Sequence, residues 1–332
     1  MEIRGQIQGD FVTIVTYHYV RPIKDSLYPD IKGLELQDFY GQIEYIMKYY
    51  EVVSMDDLVA SINGQQELPD KALLLSFDDG FVDHYEYVFP YLLERGLSGA
   101  FYPSVSSITK CQMLDVHKIH FVLASQDNKV LILDKLNQYI NDVKEQYELE
   151  DIEIYKHQYC KSNRFDSGEV IYIKRMLQYV LPGVLRSEII DYLFTKFVTK
   201  DQVSFAKELY LSENQIRTMI GEGMHFGGHG LNHEWLNHCS RSHQELILTK
   251  NKEFLECLGA TNNCMTFSYP YGAYNSDTLE MISRYGFDLA FTTKVGLADL
   301  NLVDNFEVPR IDTNDLPISF NAELVNWTRQ LL

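Results

Sequence analysis

Between Phe11 and Val20 the chain reads Phe-Val-Thr-Ile-Val-Thr-Tyr-His-Tyr-Val, a β-branched stretch that predicts a strand ending at Tyr17-His18. Apolar positions then fall at Leu36, Phe39, Ile43, Ile46 and Met47, the rhythm of one helix face. Val52-Val53 and a short helix starting near Asp56-Asp57-Leu58 follow, and Pro69 breaks the pattern before the next element. That element is Leu73-Leu74-Leu75-Ser76-Phe77-Asp78-Asp79-Gly80, an apolar run ending on two carboxylates and a glycine. A helix over Val88 to Arg95 and a strand over Gly99-Ala100-Phe101-Tyr102-Pro103 come next. Strand-helix-strand alternation predicts an α/β chain with a parallel sheet or barrel, and it puts the acids at a strand's carboxyl end, where such barrels carry their chemistry.

From about Cys111 to Tyr210 the rhythm changes. Val130, Ile132, Leu136 and Ile140, then Ile173, Met176, Leu177, Val180 and Leu181, predict helices with few strands. Such a stretch is longer than an ordinary crossover. It predicts a mainly helical insertion, 111–210, within a single barrel domain spanning 1–332, lying between the two chemically loaded segments and able to act as a lid. Further on, helices are expected over Gln244 to Leu258 and Ser276 to Tyr285, and strands over Cys264 to Ser268 and Asp288 to Thr292.

Composition narrows the class. Hydrophobic residues make up 45% and charged residues 23% of the 332, a globular balance. A formal charge of −18, from 47 acidic against 29 basic side chains, argues against nucleic acid as the main partner. Residues 1–10 lack the pattern of a secretory leader and no run approaches the length of a membrane helix, so a cytoplasmic protein with no transmembrane segment is expected. The five cysteines are odd in number and show no CxxC spacing, which points to neither a disulfide framework nor a thiolate metal site.

Adjacent Asp78 and Asp79 repel each other and persist side by side when a cation or solvent offsets their charge; an acidic turn closing a strand is the plainer alternative. The second cluster is Met224-His225-Phe226-Gly227-Gly228-His229-Gly230-Leu231-Asn232-His233. His229 and His233, at i and i+4, converge on one ion if the segment turns helically; otherwise they are hydrogen-bonded loop residues. One carboxylate and two imidazoles would suit Zn2+, Co2+, Ni2+ or Fe2+ and leave positions open for water and substrate.

The strand ending in Ser76-Phe77-Asp78-Asp79-Gly80, followed by Gly227-Gly228-His229-Gly230-Leu231-Asn232-His233, resembles the first two motifs of the NodB-homology polysaccharide deacetylases, the family-four carbohydrate esterases. Phe267-Ser268-Tyr269-Pro270-Tyr271-Gly272 resembles the third, which builds one wall of the substrate groove. The resemblance implies a distorted (β/α) barrel and a hydrolase removing an N-acetyl group from an amino sugar of a polysaccharide or its precursor. It implies one divalent transition ion, most simply zinc, on Asp79, His229 and His233, with Asp78 as catalytic base. Tyr102, Tyr269, Pro270 and Tyr271 would line the substrate site, with a backbone N–H near Tyr102 facing the oxyanion. The amino-terminal Tyr17-His18 is similar to the poly-N-acetylglucosamine deacetylase branch, whose catalytic histidine comes early, and this makes His18 the general acid. One departure stands out: Ser268 occupies the place where the family commonly carries an arginine that orients the base. Arg310 is the candidate replacement for holding Asp78, with an ordinary surface salt bridge as the alternative. The rival functions are an amidase or deformylase on another N-acyl substrate and a carbohydrate-binding protein with a vestigial site.

Overall fold

The computed structural model describes residues 11–163, 166–261 and 264–331, so the leader reading, which falls on residues 1–10, lies outside them. The chain divides into two compact units. The first, within Met1–Pro22, Gly33–Cys111 and Lys207–Leu332, is built on a path of seven parallel strands, β1 (Phe11–Tyr17), β2 (Ala72–Asp79), β3 (Ala100–Pro103), β4 (His225–Phe226), β5 (Thr266–Ser268), β6 (Leu289–Val295) and β7 (Val308–Asp312), to whose sheet short flanking strands add. Their order is β4-β3-β2-β1-β7-β6-β5. Just beyond β4, Gly228 forms a parallel bridge with Phe267 of β5, its N–H donating to Thr266 O and its carbonyl accepting from Ser268 N–H, both at 2.9 Å. The ring therefore closes with its strands in chain order, a (β/α) barrel as expected.

Strand alternation divides the side chains into two sets. The aromatic set runs through register partners Tyr17, Phe77, Phe101 and Phe226, stacked at 5.0, 4.8 and 5.4 Å, with Phe39 of the helix Leu36–Tyr49 edge-on to Tyr17 at 5.5 Å. Val12, Ile14, Ala72, Leu74, Ala100, Tyr102, Leu289, Phe291 and Val308 belong to the other set, one buried cluster. On β2 that second face reads Ala72, Leu74, Ser76, Asp78, apolar at the strand's start and polar at its end. A parallel barrel brings all such ends to one side, so the gradient along a single strand fixes where the chemistry lies.

The second unit, Ile23–Lys32 with Gln112–Ala206, is helical, with no strand among its described residues. Its longer helices are Asp115–Ala124, Val130–Tyr147 and Gly183–Phe197, packed through buried Ile132, Leu136, Ile140, Leu185, Ile189, Leu193 and Phe194. No helix of the described residues is long and apolar enough to cross a membrane.

Candidate active site

Asp78 is buried at the end of β2, on the interior face. The Arg310 guanidinium, arriving from β7, grips it with both prongs, Nη1 donating to Oδ1 at 3.0 Å and Nη2 to Oδ2 at 2.8 Å. Ser268 Oγ also donates to Oδ2, at 3.0 Å. Arg310 is itself held by Thr292 O, which accepts from Nε at 3.1 Å. Arg310 and Asp78 are each about 2–3% exposed, so this is a buried pair and not the surface bridge that was the alternative. Burial alone would raise the Asp78 carboxyl, but the Arg310 charge, assisted by His229, outweighs it and holds the group down at about 2. Three of the four carboxylate lone pairs are engaged, leaving one on Oδ1. Ser268, at the place where an arginine was expected, therefore works together with Arg310 on the same carboxylate.

Alternation would send Asp78 and Asp79 to opposite faces. The chain avoids this because Asp79 has a left-handed backbone, φ 75°, followed by Gly80 at φ 68°. A Cβ on Gly80 would lie 2.5 Å from Pro103 Cβ and 2.9 Å from its Cα, so only glycine fits. The turn brings Asp79 Oδ1 to 3.4 Å from both His229 Nε2 and His233 Nε2. These histidines converge without the helix that their spacing suggested: the segment is a bent loop, with Gly230 at φ 75° and His233 at φ 59°. Ser104 Oγ donates to His229 O at 2.8 Å, and the N–H groups of Val105 and Ser106 donate to the carbonyls of Gly230 and Leu231. Glu234 Oε2 accepts from the N–H groups of Leu231 and Asn232 at 3.1 and 2.9 Å.

His229 Nδ1 meets Ser268 O at 2.7 Å, so it carries the proton there and Nε2 faces Asp79. Burial opposes charge on His229, yet the nearby Asp79 and Asp78 carboxylates, with the Ser268 carbonyl, outweigh it and raise the imidazole. The pocket thus favours positive charge. Its donor set also fits a divalent transition ion: His229 Nε2 is buried with no hydrogen-bond partner, and the Asp79, His229 and His233 donor atoms lie within 4.8 Å of one another. Two nitrogen or oxygen donors about 2.0–2.1 Å from a tetrahedral ion stand about 3.4 Å apart, which is the spacing found here.

His18 follows β1 directly and is exposed, near enough for its charge to bear on Asp78. Its carbonyl accepts from His84 Nε2 at 2.9 Å. Burial lowers His84 to about 4, so it stays neutral. Asp83, buried next to it, is held by Arg21 through two bonds of 2.6 Å. Neither brace was foreseen.

The expected substrate wall needs correction. Tyr102 is wholly buried with its hydroxyl 3.0 Å from Thr266 Oγ1, so its side chain is core and only its backbone remains for an oxyanion. Tyr269 and Pro270 are also buried. Tyr271 is partly exposed, left-handed at φ 59°, stacked on Trp235 at 4.2 Å and edge-on to His233 at 4.5 Å. Trp235, only two residues beyond His233, was the aromatic to notice. Arg310 does not face the open site; it is a positioning residue for Asp78.

A parallel barrel carrying two carboxylates and two imidazoles at its strand ends defines a hydrolase-type centre. The polysaccharide deacetylase family model matches residues 165–290, which include both histidines and the Ser268-Tyr269-Pro270 segment but neither acid. Over that stretch the chain is similar to the polysaccharide deacetylase family. YxkH of Bacillus subtilis (strain 168), which bears the family's name, is 26% identical over 95 residues, a match spanning 29% of this chain and 34% of that relative. Solved structures of similar fold include the Streptococcus pyogenes deacetylase PplD in complex with acetate, at TM-score 0.56, 15% identity and 92% coverage of both chains. IcaB from Ammonifex degensii aligns at TM-score 0.53 and 17% identity, covering 92% of this chain and 93% of that one.

Proposed function

We propose that this chain is a metal-dependent carbohydrate N-deacetylase, hydrolysing the acetamide of an N-acetylated amino sugar in a polysaccharide or its precursor. The observation that carries the reading is the convergence of Asp79, His229 and His233 beside a second carboxylate, Asp78, held ionised by Arg310 and Ser268. Asp79, His229 and His233 would hold a divalent ion such as zinc, which when bound supplies Lewis-acid polarisation of the amide carbonyl and acidifies water.

The chain's own residues supply the rest. Asp78 takes the attacking water's proton on the free lone pair of Oδ1, while the Arg310 fork fixes the carboxylate plane. His229 Nδ1–H on Ser268 O fixes the tautomer that turns Nε2 toward Asp79. His18, exposed at the site, gives a proton to the departing amine nitrogen as the C–N bond breaks. The stacked Trp235 and Tyr271 offer a flat apolar face next to His233, a surface suited to the C–H face of a pyranose ring, and this supports a sugar over a linear amide. We take the mainly helical 111–210 stretch as an insertion in this one domain. The test is acetate release from N-acetylglucosamine oligosaccharides compared with N-formyl sugars and non-sugar amides. Release confined to acetylated sugars supports the proposal, and turnover of non-sugar amides alone contradicts it.

A further inference from the structure

A second donor cluster lies at the other end of the barrel. His225 opens β4, Cys264 precedes β5 by two residues, and Asp56 sits in the first turn of the helix Met55–Ile62. All three line one cavity of about 190 Å³, together with Gly99, Gly223 and Ala260. The candidate active site occupies the carboxyl ends of the strands, so this cavity is on the opposite side, at their amino ends.

Three donors from separate segments meet there. Cys264 Sγ is 3.8 Å from Asp56 Oδ1 and 3.9 Å from His225 Nδ1, and all three donor atoms lie within 4.8 Å of one another. A thiolate at about 2.3 Å and a nitrogen or oxygen at about 2.0–2.1 Å from one tetrahedral ion stand about 3.6 Å apart, so a shift of a few tenths of an ångström completes the geometry. His225 is oriented for it: Nε2 is 2.7 Å from Thr266 Oγ1, which holds the ring so that Nδ1 faces the cavity. This is the hydrogen bond from the remote nitrogen that ordinarily fixes a ligating imidazole. Cys264 is 4% exposed, whereas Asp56 is exposed, so the donor set runs from the barrel wall out to an open mouth with volume for a water as fourth ligand.

We infer that Asp56, His225 and Cys264 form a second metal site, a thiolate-imidazole-carboxylate centre for a zinc-like divalent ion, distinct from the Asp79 site and tying together the amino ends of β4 and β5 and the Met55–Ile62 helix. Sulfur, nitrogen and oxygen donors together suit zinc or cobalt and disfavour calcium or magnesium. A ligand set at the amino-terminal face of a parallel barrel is placed for stability and not for turnover. The donors lie far apart in sequence, which is why no CxxC-type spacing announces them. The inference stands independently of the deacetylase reading.

Cobalt distinguishes the two sites, because only this one contains sulfur. The chain is stripped with chelator, loaded with Co2+, desalted and measured for metal content and for the thiolate-to-cobalt charge-transfer band in the near ultraviolet. Two ions per chain and the band are expected for the native sequence. One ion with the band is expected for His229→Ala/His233→Ala, and one ion without it for Cys264→Ala. Because Cys264 is buried, Asp56→Ala and His225→Gln provide second variants at less enclosed positions, each expected to weaken retention of the band-bearing ion. In the His229→Ala/His233→Ala background, Zn2+ should still raise Tm. A native chain with one ion and no band, or a band that persists in Cys264→Ala, would overturn the inference.

Discussion

Arg310→Met removes the guanidinium and keeps most of the apolar bulk, so it isolates what the charge does for Asp78. Arg310 holds that carboxyl at about 2, below an ordinary 3.8. The site therefore favours the ionised form by about 2 kcal/mol. Burial pulls the other way, so the guanidinium must supply that amount and the desolvation cost as well. Loss of one partner from a buried pair costs about 3–5 kcal/mol, and the variant should lose a comparable amount at neutral pH. The folded pKa of Asp78 is depressed, so its stabilising contribution is full above pH 3.8 and disappears as pH falls through about 2. The stability difference between native and variant should therefore shrink across that window. Urea unfolding of native, Arg310→Met, Asp78→Asn and the double variant gives the coupling energy, expected to be about 2 kcal/mol or more at pH 7. A coupling under about 0.5 kcal/mol, or a difference that stays constant from pH 4 to pH 2, would refute the reasoning. In the same variant the acid limb of the pH-rate profile should move to higher pH, since freed Asp78 protonates more readily.

Asp78→Asn should keep its metal and lose about 10²–10⁴-fold in kcat, which atomic absorption beside an acetate-release assay will show. His18→Ala should slow an amide whose amine leaves as a poor leaving group and spare an activated ester; equal losses on both would make His18 a structural or substrate-positioning residue. Gly80→Ala puts a Cβ 2.5 Å from Pro103 and a side chain at φ 68°, so thermal unfolding should reveal a loss of at least about 1–3 kcal/mol, with native-like stability counting against the turn described here.

Much of the barrel was legible because its long strands are β-branched or apolar and end at polar residues, as in Phe11–Tyr17 and Ala72–Asp79. The strand His225–Phe226 was not, since two residues carry no period, and it exists because its neighbours pair with it on one side and Gly228 continues to β5 on the other. The histidine spacing suggested convergence but gave the wrong local reason: left-handed Gly230 and His233 do what a helical turn would have done. The chain's departure at Ser268 directed attention to Arg310, yet the depth of that pair depends on contacts 232 residues apart, which no local pattern encodes. Tyr102 misled for a related reason. A tyrosine near motif residues looks like groove lining, but strand parity turns it into the core, onto Thr266.

Metal dependence of deacetylation is the most direct test of the central claim. Chain stripped with chelator should release no acetate from N-acetylglucosamine oligosaccharides, and stoichiometric Zn2+ or Co2+ should restore turnover in the native chain and in Cys264→Ala but not in His229→Ala/His233→Ala. Full activity in the stripped chain, or restored turnover in the double-histidine variant, would contradict the account.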